Sequence, residues 1–306
     1  MGISQYIKEI GRGPRGSKPL TREQAADLFG QLLDGNVTDL EIGAFCLAMR
    51  IKGETPEEMC GFLDAAHSRM ALFPASDRPV IVLPSYNGAR KLPVLTPLLA
   101  LLLAREGLPV LLHGMRTEAR RTLASDVLLA LGVPALTAPE KIATGSVAHI
   151  ETGYLHAALA RLLKVREVVG LRNAGHSIVK LMNPCAGPAV VVTSYTHPEY
   201  YDMLQATFGA LHMTALLSRG LEGEVATDPR RTPRYDAFVA GVHQLLQEQQ
   251  PGTAADVPGL PTEIDIDTTA RYTQDVLDGR LPVPPALAQQ VEHLLQLAAQ
   301  TPPHAP

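Results

Sequence analysis

Apolar residues in the first seventy positions recur at helical spacing. Leu28, Phe29, Leu32 and Leu33, then Phe45, Ala48 and Ile51, then Met59, Phe62, Leu63, Ala66 and Met70 each draw one face of a helix. Polar residues bound these stretches. Thr21 precedes Gln24, Thr38 precedes Glu41 and Thr55 precedes Glu58, each at capping-box spacing. Pro56 sits at a first helical position, where its missing N–H costs nothing. Gly35-Asn36 and Gly53 mark stops. A shorter helix fits Ile3–Ile10, followed by a glycine- and cation-rich loop to Pro19. The pattern predicts a small helical domain over residues 1–73 and a second domain over 74–306, with Pro74–Pro79 as linker.

From Val80 the pattern alternates between strand and helix, which argues an α/β domain with a mainly parallel sheet. Val80–Leu83 reads as a buried strand, Ser85–Lys91 as a polar turn and Leu95–Ala104 as a helix. The plan repeats with strand Pro109–Leu112, turn His113–Arg116 and helix Glu118–Leu131. Further helices are expected at Glu151–Leu163, after Arg172 to Met182, at His197–Phe208 and at Pro233–Gln249. Another runs from a cap at Asp267 to Leu277, and a last one from Pro284-Pro285 to Ala299. Ala189–Thr193 and Met213–Leu217 read as strands, and Thr301–Pro306 as a disordered tail. In open α/β sheets ligands sit beyond the carboxyl ends of strands, where helix N-termini offer N–H groups to anions. The two turns therefore frame one anion-binding mouth.

Charge sharpens that picture. The net charge is −4, which excludes a uniformly basic nucleic-acid coat. Residues 1–22 hold five cations against one acid, residues 86–121 six against two and residues 161–180 five against one. Cations thus gather in segments expected around the mouth. The three cysteines are widely spaced, with no CxxC, which suggests a reduced, cytoplasmic setting without a disulfide framework or zinc site. The polar, basic N-terminus does not read as a signal peptide, and the longest apolar run, Leu92–Ala104, is too short to span a membrane.

Arg90 and Lys91 suit phosphate, the first as a fork and the second as a point charge; an ordinary solvated pair is the alternative. Tyr86 suits stacking on a base or plain packing. Gly114 suits close backbone approach to a ligand, and His113 either a site or a core role. Arg116 and Arg120, four apart, share a face if the helix has begun there. His176 and Lys180 have the same spacing, facing a polyanion or solvent.

The strand–turn–helix order, the HGxR turn and the SDVLLALGV helix resemble anthranilate phosphoribosyltransferase. That family has GTGGD at the first turn and KHGNR at the second; here the turns read PSYNGAR and LHGMR. The KEIGRG opening, the PSYNGARK turn, HPEY and EGEV are similar to a non-biosynthetic branch, the YbiB-type nucleic-acid-binding proteins. Arg172 and Asn183-Pro184 match the ends of the enzymes' RTxxNxxGPLxNP segment, with Asn173 at the threonine, and Arg172 falls at their acceptor-binding arginine. Glu222 and Glu224 lie where the enzymes carry an adjacent, magnesium-binding Asp-Glu pair, here split by Gly223. The resemblance implies the anthranilate phosphoribosyltransferase (nucleoside phosphorylase/phosphoribosyltransferase) fold and a homodimer through the helical domains. It also implies binding of single-stranded DNA or RNA without sequence specificity, with no catalytic residue, metal or cofactor. The phosphate-binding residues would be Ser85, Tyr86, Asn87, Gly88, Arg90, Lys91, His113, Gly114, Arg116, Arg120, Arg172, His176 and Lys180. A transferase using Mg2+ and phosphoribosyl diphosphate on another acceptor, and a regulatory small-molecule binder, stay open as alternatives.

Overall fold

The computed structural model describes residues 2–13, 15–254 and 256–301. Four helices come first: α1 (Ser4–Ile10), α2 (Arg22–Leu33), α3 (Asp39–Lys52) and α4 (Pro56–His67). Thr21, Thr38 and Thr55 form the three expected capping boxes. The periodic faces meet in a cluster of Phe29, Phe45 and Phe62, whose ring centroids lie 4.9 to 6.2 Å apart. Glu58 is buried and accepts from the N–H groups of Leu20 and Thr55 and from Lys52 Nζ.

The α/β part follows as β1 (Val80–Pro84), α5 (Thr96–Arg105), β2 (Val110–Gly114), α6 (Ala124–Ala130), β3 (Ala135–Leu136) and β4 (Val147–Glu151). Next come α7 (Thr152–Leu155), α8 (Ala157–Val169), α9 (Gly175–Leu181), β5 (Ala189–Tyr195), α10 (Glu199–Ala210) and β6 (Ala215–Arg219). The chain closes with β7 (Tyr235–Val239), β8 (Val242–Gln247), α11 (Ile266–Leu277) and α12 (Pro285–Gln300). One eight-stranded sheet has the order β3-β4-β2-β1-β5-β6-β7-β8. It is parallel from β3 to β6, and β7 and β8 add antiparallel. Helices cover both faces: α5, α11 and α12 on one, the helical layer with α8, α9 and α10 on the other. Such a doubly covered sheet explains why β1 is buried at every position.

The structure corrects four expectations. Residues 233–249 form a hairpin, not a helix. Ala240 and Gly241 take φ of 47° and 82°, the left-handed pair a tight hairpin requires. The helix expected from Glu118 starts only at Ala124, because Thr122 pairs with Ala89 as an isolated antiparallel bridge. Arg116 and Arg120 therefore share no helical face. Strand β4 and the one-turn α7 replace the start of the helix expected at Glu151, and Asp265, not Asp267, caps α11. Of the expected tail Thr301–Pro306, Thr301 is buried and its hydroxyl donates to the Leu297 carbonyl, and residues 302–306 lie outside the described residues.

Candidate functional site

The turns after β1 and β2 lie side by side at the carboxyl ends of these parallel neighbours, where Ser85 N–H donates to the His113 carbonyl. Gly114 makes this possible: a Cβ at that position would stand 1.9 Å from the Ser85 carbonyl oxygen. The turn after β1 has the donors an anion needs, and a carboxylate already occupies them. Glu224 Oε1 accepts from the N–H groups of Gly88 at 2.8 Å and Asn87 at 3.2 Å. Its Oε2 accepts from Ser85 Oγ at 2.6 Å and Thr96 Oγ1 at 2.9 Å. Glu222 repeats this one step outward, accepting from the N–H groups of Arg90 and Lys91 at 2.9 and 3.0 Å. Its other oxygen faces the Arg90 and Arg121 guanidinium groups at 3.6 and 3.9 Å. Ser85, Asn87 and Gly88 thus bind the protein's own acid, whereas the Arg90 and Lys91 side chains are exposed.

The other predicted residues divide. Tyr86 is buried, its ring edge-on to His176 at 6.0 Å, and burial pushes its phenol up to about 12. His113 is fully buried with neither ring nitrogen partnered, and burial pushes it down to about 3; it belongs to the core. His176 is buried as well and held at about 3 by burial, with Arg172 and Arg166 adding to the effect. Arg116 pairs with Asp126 and donates to the Arg121 carbonyl. Arg120 is exposed, without an acidic partner within 4.0 Å among the described residues. Arg172 donates to Asn87 Oδ1 and lies 3.6 Å from Glu118. Lys180 is half-buried and donates to the Ser194 carbonyl; burial and then Arg172 lower its amine to about 8.

Sequence reasoning missed the group that locks the rear of the mouth. Glu118 accepts from Arg166 at 2.8 Å and from Arg121 at 2.9 Å. Partial burial opposes its charge, but these two arginines outweigh it and hold the carboxyl down at about 2. The pairs span 48 and 3 positions, so only Glu118–Arg121 carries a local signal.

Behind the turn a cleft of about 420 Å3 separates the end of α3 from α9 and α10. Arg50, Arg172 and Lys180 line it, with Tyr86, His176 and Tyr200. Thr193 Oγ1 and His176 Nε2, on two buried residues of its lining, have no partner.

Comparison with known proteins places this architecture. The uncharacterized protein YbiB of Escherichia coli (strain K12) is 37% identical over 298 residues, covering 95% of this chain and 92% of that protein. The chain belongs to the YbiB family. The profile of the glycosyl transferase family, helical bundle domain, matches residues 4–70. Anthranilate phosphoribosyltransferase of Persephonella marina is 28% identical over 295 residues, 91% of this chain and 83% of that enzyme. The family is thus homologous to these enzymes. Among solved structures, anthranilate phosphoribosyltransferase of Thermus thermophilus superposes with a TM-score of 0.76 at 21% identity, over 97% of this chain and 90% of that one. The Saccharomyces cerevisiae enzyme, in complex with PRPP and Mg, gives 0.71 at 13%, over 98% and 89%. These likenesses carry the fold, a small helical domain beside a large α/β domain with a mostly parallel sheet.

Proposed function

We propose that this chain binds single-stranded nucleic acid without sequence preference and does not transfer phosphoribosyl groups. The carrying observation is the occupied turn. A diphosphate at β1 would have to displace Glu224 from two N–H groups and two hydroxyls, all charge-assisted contacts. The acids resembling a magnesium pair are consumed in the same way, with Arg90 and Arg121 beside Glu222. This donor set does not fit Mg2+, which takes free carboxylate and phosphate oxygens. Arg90, Lys91 and Arg120 remain exposed at the rim, and an extended polyanion reaches them without entering the turn. Phosphate contacts of this kind give affinity without sequence information.

Fluorescence anisotropy of a labelled oligonucleotide across salt concentrations tests the reading. Affinity should fall with salt at a slope of roughly −0.7 per phosphate neutralised. No binding at low salt would end it. The cleft beside Arg172 favours a second reading, a transferase with another acceptor; phosphoribosyl diphosphate binding by calorimetry would favour that instead.

The same proposal includes a homodimer through the helical layer. Leu40, Leu47 and Ile51 lie seven and four apart on α3 and are 83%, 47% and 58% exposed. Val168 and Leu171 are exposed near the end of α8. Introducing L47E and I51E together should halve the mass seen by light scattering; a monomeric wild type at micromolar concentration refutes the dimer.

A further inference from the structure

A second cavity, of about 360 Å3, lies on the other side of Thr196 from the cleft, and Thr196 lines both. Besides Thr196, four separate stretches build it. The turn after β1 gives Lys91, the end of β6 gives Arg219, residues 230 and 231 give two further arginines, and Gln249 and Gln250 close the far side. Backbone hydrogen bonds fix the frame. Gly220 donates to Tyr195 at 3.0 Å, Gln250 to Thr232 at 3.1 Å and Ala254 to Arg230 at 2.7 Å.

The two acids of the lining are already engaged. Asp228 accepts from Arg230 Nε and from its terminal nitrogen, both at 2.9 Å, and from its backbone N–H at 3.1 Å. Glu222 holds the N–H groups of Arg90 and Lys91. Among the described residues, Lys91 and Arg219 have no carboxylate within 4.0 Å, and Arg231 has only Asp228 at 3.9 Å. Three exposed cations therefore face one cavity, Lys91 and Arg219 without a carboxylate and Arg231 with only the Asp228 that Arg230 already engages. The opposite arrangement holds at the turn, where donors and acids match.

We infer that this cavity is a phosphate site, which receives a phosphodiester of the bound strand between Lys91, Arg219 and Arg231. The inference rests on the nucleic-acid reading and extends it by two strands, from β1 across β5 to the end of β6. The anion position has moved from backbone N–H groups, now filled by Glu222 and Glu224, to side chains on the adjoining loops. Arginine forks match phosphate oxygens in pairs, and the two glutamines add neutral donors that tolerate any base.

Anisotropy of labelled oligothymidylate, measured across salt with R219A/R231A and R219K/R231K, tests the assignment. The alanine pair should flatten the salt slope by roughly 0.7, the share of one phosphate, and the lysine pair should keep the slope. Thermal shifts with inorganic phosphate and pyrophosphate, matched to chloride at equal ionic strength, separate the two sources of the anion. An alanine pair with wild-type slope and affinity overturns the site while the nucleic-acid reading stands. Wild type that binds no strand overturns both. Stabilisation by free phosphate that the alanine pair loses, with no effect on strand affinity, makes the site one for a small anion and overturns the strand as its ligand.

Discussion

Cations at the mouth fall into an inner and an outer set, and the two have different work. Arg121, Arg166 and Arg172 are inner: Glu118 contacts all three, and Arg172 also reaches Asn87. Arg90, Lys91, Arg120, Arg219 and Arg231 are outer and exposed. The inner set and its acids make a closed network, in which each buried charge meets its opposite, as a low dielectric demands. The outer set stays in water and, on the proposed nucleic-acid reading, would exchange its counterions for phosphates. A count of arginines does not distinguish the sets; contact with Glu118 does. Glu224 sets the boundary between them, since it closes the turn that would otherwise draw an anion inward.

The largest effect should follow from removing Glu224. In E224A four donors lose their acceptor, and two of them are backbone N–H groups that cannot turn away. Denaturant melts should show a loss of about 3 kcal/mol or more. Millimolar sulfate or inorganic phosphate should restore part of it by filling the cradle, as any ligand of the native state does. If E224A is as stable as wild type, or if anions give it no more than they give wild type, the turn is not an anion cradle and the division into sets fails there.

The next effect separates the sets by readout. R90A/K91A should flatten the salt slope by roughly 1.4 and weaken every oligonucleotide alike, with melting unchanged. R166A should do the reverse. It leaves Glu118 short of one of its strongest partners and should cost about 1–2 kcal/mol of stability, with the salt slope preserved. A slope change in R166A equal to that in R90A/K91A would merge the two sets into one.

Much of this was legible in the chain. The three capping boxes fixed α2, α3 and α4, because a cap is a local bargain between residues three apart. The buried run Val80–Leu83 and the Asn-Gly after it placed the turn. The resemblance carried the fold class, since its motifs occur in order over most of the chain. The hairpin β7–β8 was misread because Tyr235, Phe238, Val239, Val242, Leu245 and Leu246 also satisfy helical spacing; only Ala240-Gly241 betrayed the turn. The role of Glu224 was not legible, since it lies 128 to 139 positions from the donors it satisfies. The acidic loop was recognised as differing from a metal pair, but nothing local showed that it folds back into the turn. The cations Arg219 and Arg231 were missed because they lie in segments of mixed charge, and only tertiary folding brings them to Lys91.

The smallest effect concerns His113, which the sequence placed in the mouth and the structure places in the core. It is fully buried at the end of β2, and neither ring nitrogen has a partner. Burial disfavours its charged form and pushes its pKa from the ordinary 6.5 to about 3. The unfolded chain therefore binds more protons than the folded one between these values, and stability rises with pH across that window. The contribution is fully present above pH 6.5 and is lost as pH falls through about 3. His176, shifted the same way, adds to this trend, and so does Glu118 at its lower range. H113L removes one of these groups and two unsatisfied nitrogens, at similar volume. Its melting temperature should equal or exceed that of wild type at pH 7.5 by roughly 1–2 °C. The gap should widen at about pH 5, where the wild-type imidazole resists a proton that the unfolded chain accepts. Oligonucleotide affinity and salt slope should stay at wild-type values, because no phosphate reaches the residue. A variant that melts normally but binds weakly would move His113 back into the mouth, and with it the line between the inner and outer sets.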